Sequence, residues 1–382
     1  MTEKKLAFLK NGLIVLGAIV LALLLTQTFL DKLTSLTLFA PMEKKVDFAM
    51  TDIYNAVEER RSAVPLSQDV IVVNVDNCNR EQTLDAIHRI AACEPKAIGV
   101  DLYFAVPQEN NDYLVETILL TDNLVSSMRV NPVEGEAYER VPLSFFDEYF
   151  TPEHAGYVNL DAKYSWKVVR TFLPFVCTAD GDTLPSMELE LSRIAAPERV
   201  KQLLERGNKA ETIDFTSCEI EVVDAGLLDT PAVAERIRDK VVLVGLMNDV
   251  KDCYLTPLHD PQSGVMIHAH ALQTILGASY VRTSPKWLNW TIAIFVCLVF
   301  LILMQWAKAK KSWWGSLILR VGQFLIMYGL VGLGCAIYAD WHAYVDFSPA
   351  ILMMGLASFA RDIISAIDGI VKNIVTKKQY KQ

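Results

Sequence analysis

The sequence predicts an extracytoplasmic α/β domain, with a mixed and largely parallel sheet flanked by helices, joined to four transmembrane α-helices. Three observations carry this. Four long blocks concentrate the apolar residues. Between the first and second of them, apolar strand-like runs alternate with helical periodicity. Charge is also segregated: residues 31–286 hold 24 Lys+Arg against 40 Asp+Glu, and the remaining residues hold 12 against 5. Of the 382 residues, 52% are hydrophobic and 21% charged, with a mean hydropathy of +0.25, which excludes a disordered chain. A net charge of −9 leaves no electrostatic footprint for nucleic acid.

The apolar blocks are residues 11–30, 288–307, 317–339 and 345–360, against the roughly 20 apolar residues that a bilayer core demands. The fourth is short, with Asp346 at its mouth, so it either extends past Arg361 or packs at a slant. The first reads as an uncleaved anchor, because its apolar run outlasts a signal-peptide core and no small-x-small site follows it. Lys4, Lys5 and Lys10 precede it. Lys308, Lys310, Lys311 and Arg320 lie at the second-to-third turn, and Arg361, Lys372, Lys377, Lys378 and Lys381 follow the fourth block. The loop 340–344 has no Lys or Arg. The positive-inside rule therefore predicts both termini (1–10 and 361–382) in the cytoplasm and 31–286 in the periplasm of a bacterial inner membrane. The spans read as free of interior charge, which argues against an ion pathway.

Within the external block, residues 33–61 read as mostly helical. Residues 69–76 (DVIVVNVD) and 97–104 (AIGVDLYF) are apolar β-type runs separated by helical periodicity over 80–93. That strand–helix–strand unit is expected to be parallel and right-handed. A helix over 112–120 and a strand over 124–130 follow. Strands over 156–160 and 168–177, one long helix over 184–207, and short strands over 212–215 and 220–223 come next. The run 240–245 (KVVLVG) is a third buried strand, and 265–276 a closing helix.

Asp76 and Asp101 end two of the buried strands, and Asp249 and Asp252 follow the third. Ligands of open α/β sheets bind beyond the carboxyl ends of the strands, so these four carboxylates, with His268 on the adjacent helix, form a candidate site for a cationic or hydroxylated ligand. The bland reading is that they cap helices and tie down loops. His268 and His270 are two residues apart, about 200° around a helix, so they do not share one metal, and no metal or cofactor is expected. Asp161 and Arg170 read as a pair across a turn, worth little stability. An odd count of external cysteines, Cys78, Cys93, Cys177, Cys218 and Cys253, leaves at least one thiol unpaired. No nucleophile elbow, zinc-protease motif, phosphate loop or dinucleotide fingerprint is present, and no enzyme activity is expected.

Several ordered segments together resemble the second class of CHASE domain, an extracellular sensory module. They are VDFAMTDIYNAVEERR entering DVIVVNVD, PKAIGVDLYF, GYVNLDAKYSWKVVRTFLPFV, and KVVLVGLMNDVKDCYLTPLHDPQSGVMIHAHALQTILG. Three spans after such a domain are the family's usual arrangement. The resemblance implies a sensor that detects a small ligand or an envelope protein outside and relays it through the spans. Family members usually carry a catalytic output in the same chain. Only about 22 residues follow the fourth span here, too few for a domain, so a separate cytoplasmic effector is expected. The competing reading is an assembly component of an envelope complex. In the third span, Gly322, Gly329, Gly332 and Ala336 share a face that suits either a homodimer or packing against the second or fourth span. Ile363, Ile364, Ile367, Ile370, Val371, Ile374 and Val375 form an apolar stripe, for a partner helix or for the membrane surface.

Overall fold

The computed structural model describes residues 3–32, 47, 49–60, 64–109, 111–134, 137–142, 144–148, 153–160, 167–309 and 313–379. Asp161, residues 33–46, Lys310, Lys311 and Lys381 therefore lie outside the described residues. The chain begins with α1 (Glu3–Lys32), α2 (Met50–Glu59), β1 (Leu66–Asn74), α3 (Arg80–Ala92), β2 (Ala97–Val100), α4 (Asn111–Leu120), β3 (Leu124–Pro132), β4 (Tyr138–Val141) and β5 (Ala155–Tyr157). The short strands β6 (Thr171–Phe172), β7 (Phe175–Cys177) and β8 (Thr183–Pro185) lead to α5 (Met187–Ala195), α6 (Pro197–Glu205) and β9 (Glu211–Thr212). Then come β10 (Glu219–Asp224), α7 (Pro231–Ile237), β11 (Val241–Gly245), β12 (Cys253–Tyr254), β13 (Gln262–Ser263) and α8 (Gly264–Leu276). The chain finishes with β14 (Arg282–Thr283), α9 (Lys286–Ala309), α10 (Trp313–Trp341), β15 (Ala343–Tyr344) and α11 (Ser348–Gln379). Two compact units result, Asn55–Val281 and the combination of Met1–Tyr54 with Arg282–Gln382.

The first unit is built on a sheet of order β10-β1-β11-β2-β3-β4, with β5 also on β3. All its pairings are parallel except β3 with β4. The central strands are apolar on both faces, so both faces are covered. Ile71, Val73, Ile98, Val100, Val242 and Val244 pack with α3, α4 and α7, while Val70, Val72, Ala97 and Leu243 pack with α5 and α8. Helix α3 starts at a capping box, in which Asn79 Oδ1 accepts from the Gln82 amide and the Gln82 side chain accepts from the Asn79 amide. Close packing on the other face depends on Gly156, where a Cβ would run into the backbone of Met187 at the start of α5.

Two sequence expectations change in this unit. The run 184–207 holds β8 and two helices, because Pro197 has no amide to donate inside a helix and instead opens α6 at its first turn. Residues 168–177 hold the two short strands β6 and β7. The expected parallel strand–helix–strand unit is present, with β11 inserted between its two strands β1 and β2.

The second unit contains four helices long and apolar enough to cross a membrane, over Asn11–Thr28, Lys286–Ala307, Leu317–Trp341 and Ser348–Val371. Small residues line its core: Ala18 and Ala22 of α1, Ala293 and Cys297 of α9, and Ala350, Ala357 and Ala360 of α11. They let helix backbones approach closely. Gln323 of α10 donates from Nε2 to the Met354 carbonyl of α11. Tyr54 donates from its hydroxyl to the Val345 carbonyl at 3.1 Å, beside the rings of Tyr338 and Tyr344. The last helix does not stop at residue 360 but runs on to Gln379. Its apolar window takes in Arg361 and Asp362, which corrects the reading of charge-free spans.

Candidate functional site

The carboxyl edge of the sheet divides at β11. The segments after β1 and β2 lead to α3 and α4 on one face, whereas the segment after β11 leads to α8 on the other. Connections that leave neighbouring strands for opposite faces open a crevice between them. Asp101 stands on one side of β11, its amide donating to the Val244 carbonyl at 2.9 Å and so extending the ladder one residue past β2. Asp252 ends the turn after β11. Its carboxylate accepts from the Gly264 amide at the start of α8 and from the Tyr254 hydroxyl. A carboxylate at a helix N-terminus is favourably placed against the helix dipole.

His268, one turn further along α8, has its Nδ1 2.6 Å from Glu188 Oε1 of α5, with each side chain only 4% exposed. Burial works against a charged imidazole here, but Glu188, Asp101 and Asp252 outweigh it and hold His268 protonated above its usual range. The other ring nitrogen, Nε2, meets no acceptor among the described residues. Burial pushes the Asp101 carboxyl up to about 6. The Asp252 and Glu188 carboxylates push the same way, and His268 opposes them. Burial also raises Asp252. Tyr103, two residues past Asp101, and Tyr254 are both raised by burial with Asp101 and Asp252 adding, while Arg129 of β3 opposes. The constellation is thus Asp101, Asp252, Glu188 and His268, with Tyr103, Tyr254 and Arg129 around it.

Asp76 and Asp249 are occupied otherwise. Asp76 accepts from the amides of Met247 and Asn248 at 2.9 and 3.2 Å and from Asn248 Nδ2 at 2.6 Å, clamping the turn after β11. Asp249 caps the short turn of helix that follows, taking the Lys251 amide at 2.9 Å. For these two the helix-capping and loop-tying role is the one on view. His270 diverges from His268. Its ring lies 5.3 Å from that of Phe215, and burial lowers it to about 4, so it is neutral. Among the described residues no three His, Cys, Asp or Glu side chains group to hold a metal ion, and the seven cysteines are free thiols. Glu188, Tyr103, Tyr254 and Arg129 escaped the sequence reading. The one available signal was the pair Glu188 and Glu190 in the apolar stretch Met187–Leu191, where buried carboxylates demand partners.

The family question is decided by a match of the CHASE2 domain model over residues 19–304. The chain belongs to the CHASE2 domain family. Neither curated proteins nor solved structures give a match. CHASE2 is a family of extracellular sensory domains, which supports a sensory role in general, and with four helices apolar enough to span, this is a membrane protein. The match begins inside α1 and ends inside α9, so it takes in the whole α/β unit. At the edge of this CHASE2 domain, Asp252 and Glu188 face one imidazolium, with Asp101 titrating near 6. Three carboxyl groups around one imidazolium suit a cation or a hydrogen-bond donor.

Proposed function

We propose that this CHASE2 protein is a sensor that binds a small cationic or hydroxylated ligand at Asp101, Asp252 and His268 and relays occupancy through its spans to a separate cytoplasmic effector. The supporting observation is the gathering of Asp101 and Asp252 around the end of β11, beside the buried Glu188–His268 pair. A ligand there touches the ends of β2, β11 and α8 together, and α8 is the last helix before the chain enters α9. The site recognises its ligand without transforming it. The domain faces the periplasm and both termini the cytoplasm, in the inner membrane. The assembly is a homodimer through α10, where a Cβ added at Gly322, Gly329 or Gly332 would meet no atom of another element within 4 Å among the described residues.

The purified full-length protein tests this by thermal unfolding against a panel of primary amines, basic amino acids, simple sugars and divalent cations. At least one class is expected to raise the midpoint by a few degrees, with that shift lost in Asp101→Asn and Asp252→Asn. If no class shifts the wild type, or if both variants respond as it does, the carboxylate cleft is not the sensory site.

A further inference from the structure

Arg361 is the one buried basic side chain of the membrane unit among the described residues, at 4% exposure. Its Nη2 lies 2.8 Å from Oδ1 of its chain neighbour Asp362, while Nε and Nη1 meet no acceptor. A guanidinium held away from water with two donors unmet is expensive, and deleting it in favour of an apolar side chain would relieve that cost. We infer that Arg361 is a phosphate-binding residue, and that the phosphate is the headgroup of an anionic phospholipid.

Its depth supports the assignment. The bond from Gln323 to the Met354 carbonyl sets α10 level with α11. Arg361 lies seven residues beyond Met354, about 10 Å along the axis at 1.5 Å per residue. The same distance back along α10 from Gln323 arrives near residue 316, less than a turn from Trp314 near the start of that helix. Tryptophan marks the headgroup level of a bilayer, so the guanidinium sits just inside that level. The sequence around this end is basic, with Lys308 in the last turn of α9, Lys310 and Lys311 just after it in sequence, and Lys372, Lys377 and Lys378 further along α11. Such clusters draw anionic lipid to a membrane face. The flat fork of a guanidinium then matches two phosphate oxygens, which an ammonium does not. This assignment stands apart from the ligand site of the CHASE2 domain.

The test uses the full chain, delipidated in detergent, with native mass spectrometry for retained lipid and thermal unfolding for stabilisation. Three probes are compared: phosphatidylglycerol, zwitterionic phosphatidylcholine, and inorganic phosphate. The wild type should retain phosphatidylglycerol and be stabilised by it. Arg361→Gln should lower that retention about tenfold, with Arg361→Lys in between. Arg361→Leu controls for folding: in lipid-free detergent it should unfold no earlier than the wild type, yet show no lipid-dependent shift. Stabilisation by inorganic phosphate alone would keep the phosphate chemistry and overturn the lipid source. Equal retention of phosphatidylglycerol by wild type and Arg361→Gln, or none by either, would overturn the site.

Discussion

A charged histidine buried against a carboxylate ties stability to pH. For His268, burial lowers the value, but Glu188, Asp101 and Asp252 carry it from 6.5 to about 9 in the folded protein. A raised value means that the stabilisation is complete below about 6.5 and is lost as pH climbs through about 9, a swing on the order of 3 kcal/mol. Asp101, raised from 3.8 to about 6 mainly by burial, has the same sign lower down, since its ionisation costs stability over that window. His270 has the opposite sign. Burial depresses it from 6.5 to about 4, so its contribution is present above 6.5 and lost as pH falls through about 4. Acid effects therefore partly cancel, and the alkaline limb isolates His268. The thermal midpoint should fall from about pH 7 to about pH 9 in the wild type and stay nearly level in His268→Gln. An equal fall in both would show that the Glu188 pair is not the titrating element. Asp101, Asp252 and His268 were legible in sequence because each sits just past an apolar run or inside a closing helix. Glu188 was not, since it lies 80 positions from its histidine and only the folded sheet brings them together. Asp76 and Asp249 share the local pattern of the others, and nothing in that pattern tells a loop clamp from a cleft residue.

The elements divide by how much of their determinant is local. Strands β1, β2 and β11 are continuous β-branched or apolar runs, and α3 announces itself with Asn79 and Gln82, so their places were readable. The order of strands was not, because a side chain carries no label for which neighbour its strand will pair with. The insertion of β11 between β1 and β2 is what sets Asp101, past the end of β2, beside the strand that leads to Asp252. The break between α5 and α6 was written locally, in Ala196–Pro197, and the apolar periodicity on either side hid it. In α10 a Cβ added at Gly322, Gly329 or Gly332 would meet no atom of another element within 4 Å among the described residues, whereas at Gly334 it would run into Tyr54. The proposed association between copies would use that open face. Replacing Gly329 and Gly332 by Leu should abolish a crosslinked dimer while the thermal midpoint of the monomer changes little. A dimer that survives both substitutions would remove α10 from the interface.

At the scale of the whole molecule, charge and span count argue for one orientation. One apolar helix precedes the sensory unit and three follow it, so the two ends of the chain share a side whichever way it inserts. Under the proposed orientation all twelve Lys and Arg outside 31–286 fall on the side of the termini, and the loop 340–344 has none, as the positive-inside rule requires. Two native thiols make this testable with little engineering. Cys177 and Cys253 are exposed on the CHASE2 unit, and the other five cysteines are buried or half-buried. With the outer membrane permeabilised and the inner one intact, a membrane-impermeant maleimide should label the wild type through Cys177 and Cys253 and leave the double Cys→Ser variant unlabelled. In that variant Lys381→Cys should react only after the inner membrane is opened. Labelling of Lys381→Cys from outside intact cells would reverse the orientation. It would place the CHASE2 unit, its carboxylate cleft and any ligand it detects in the cytoplasm, and the separate effector would then have to be sought on the other side.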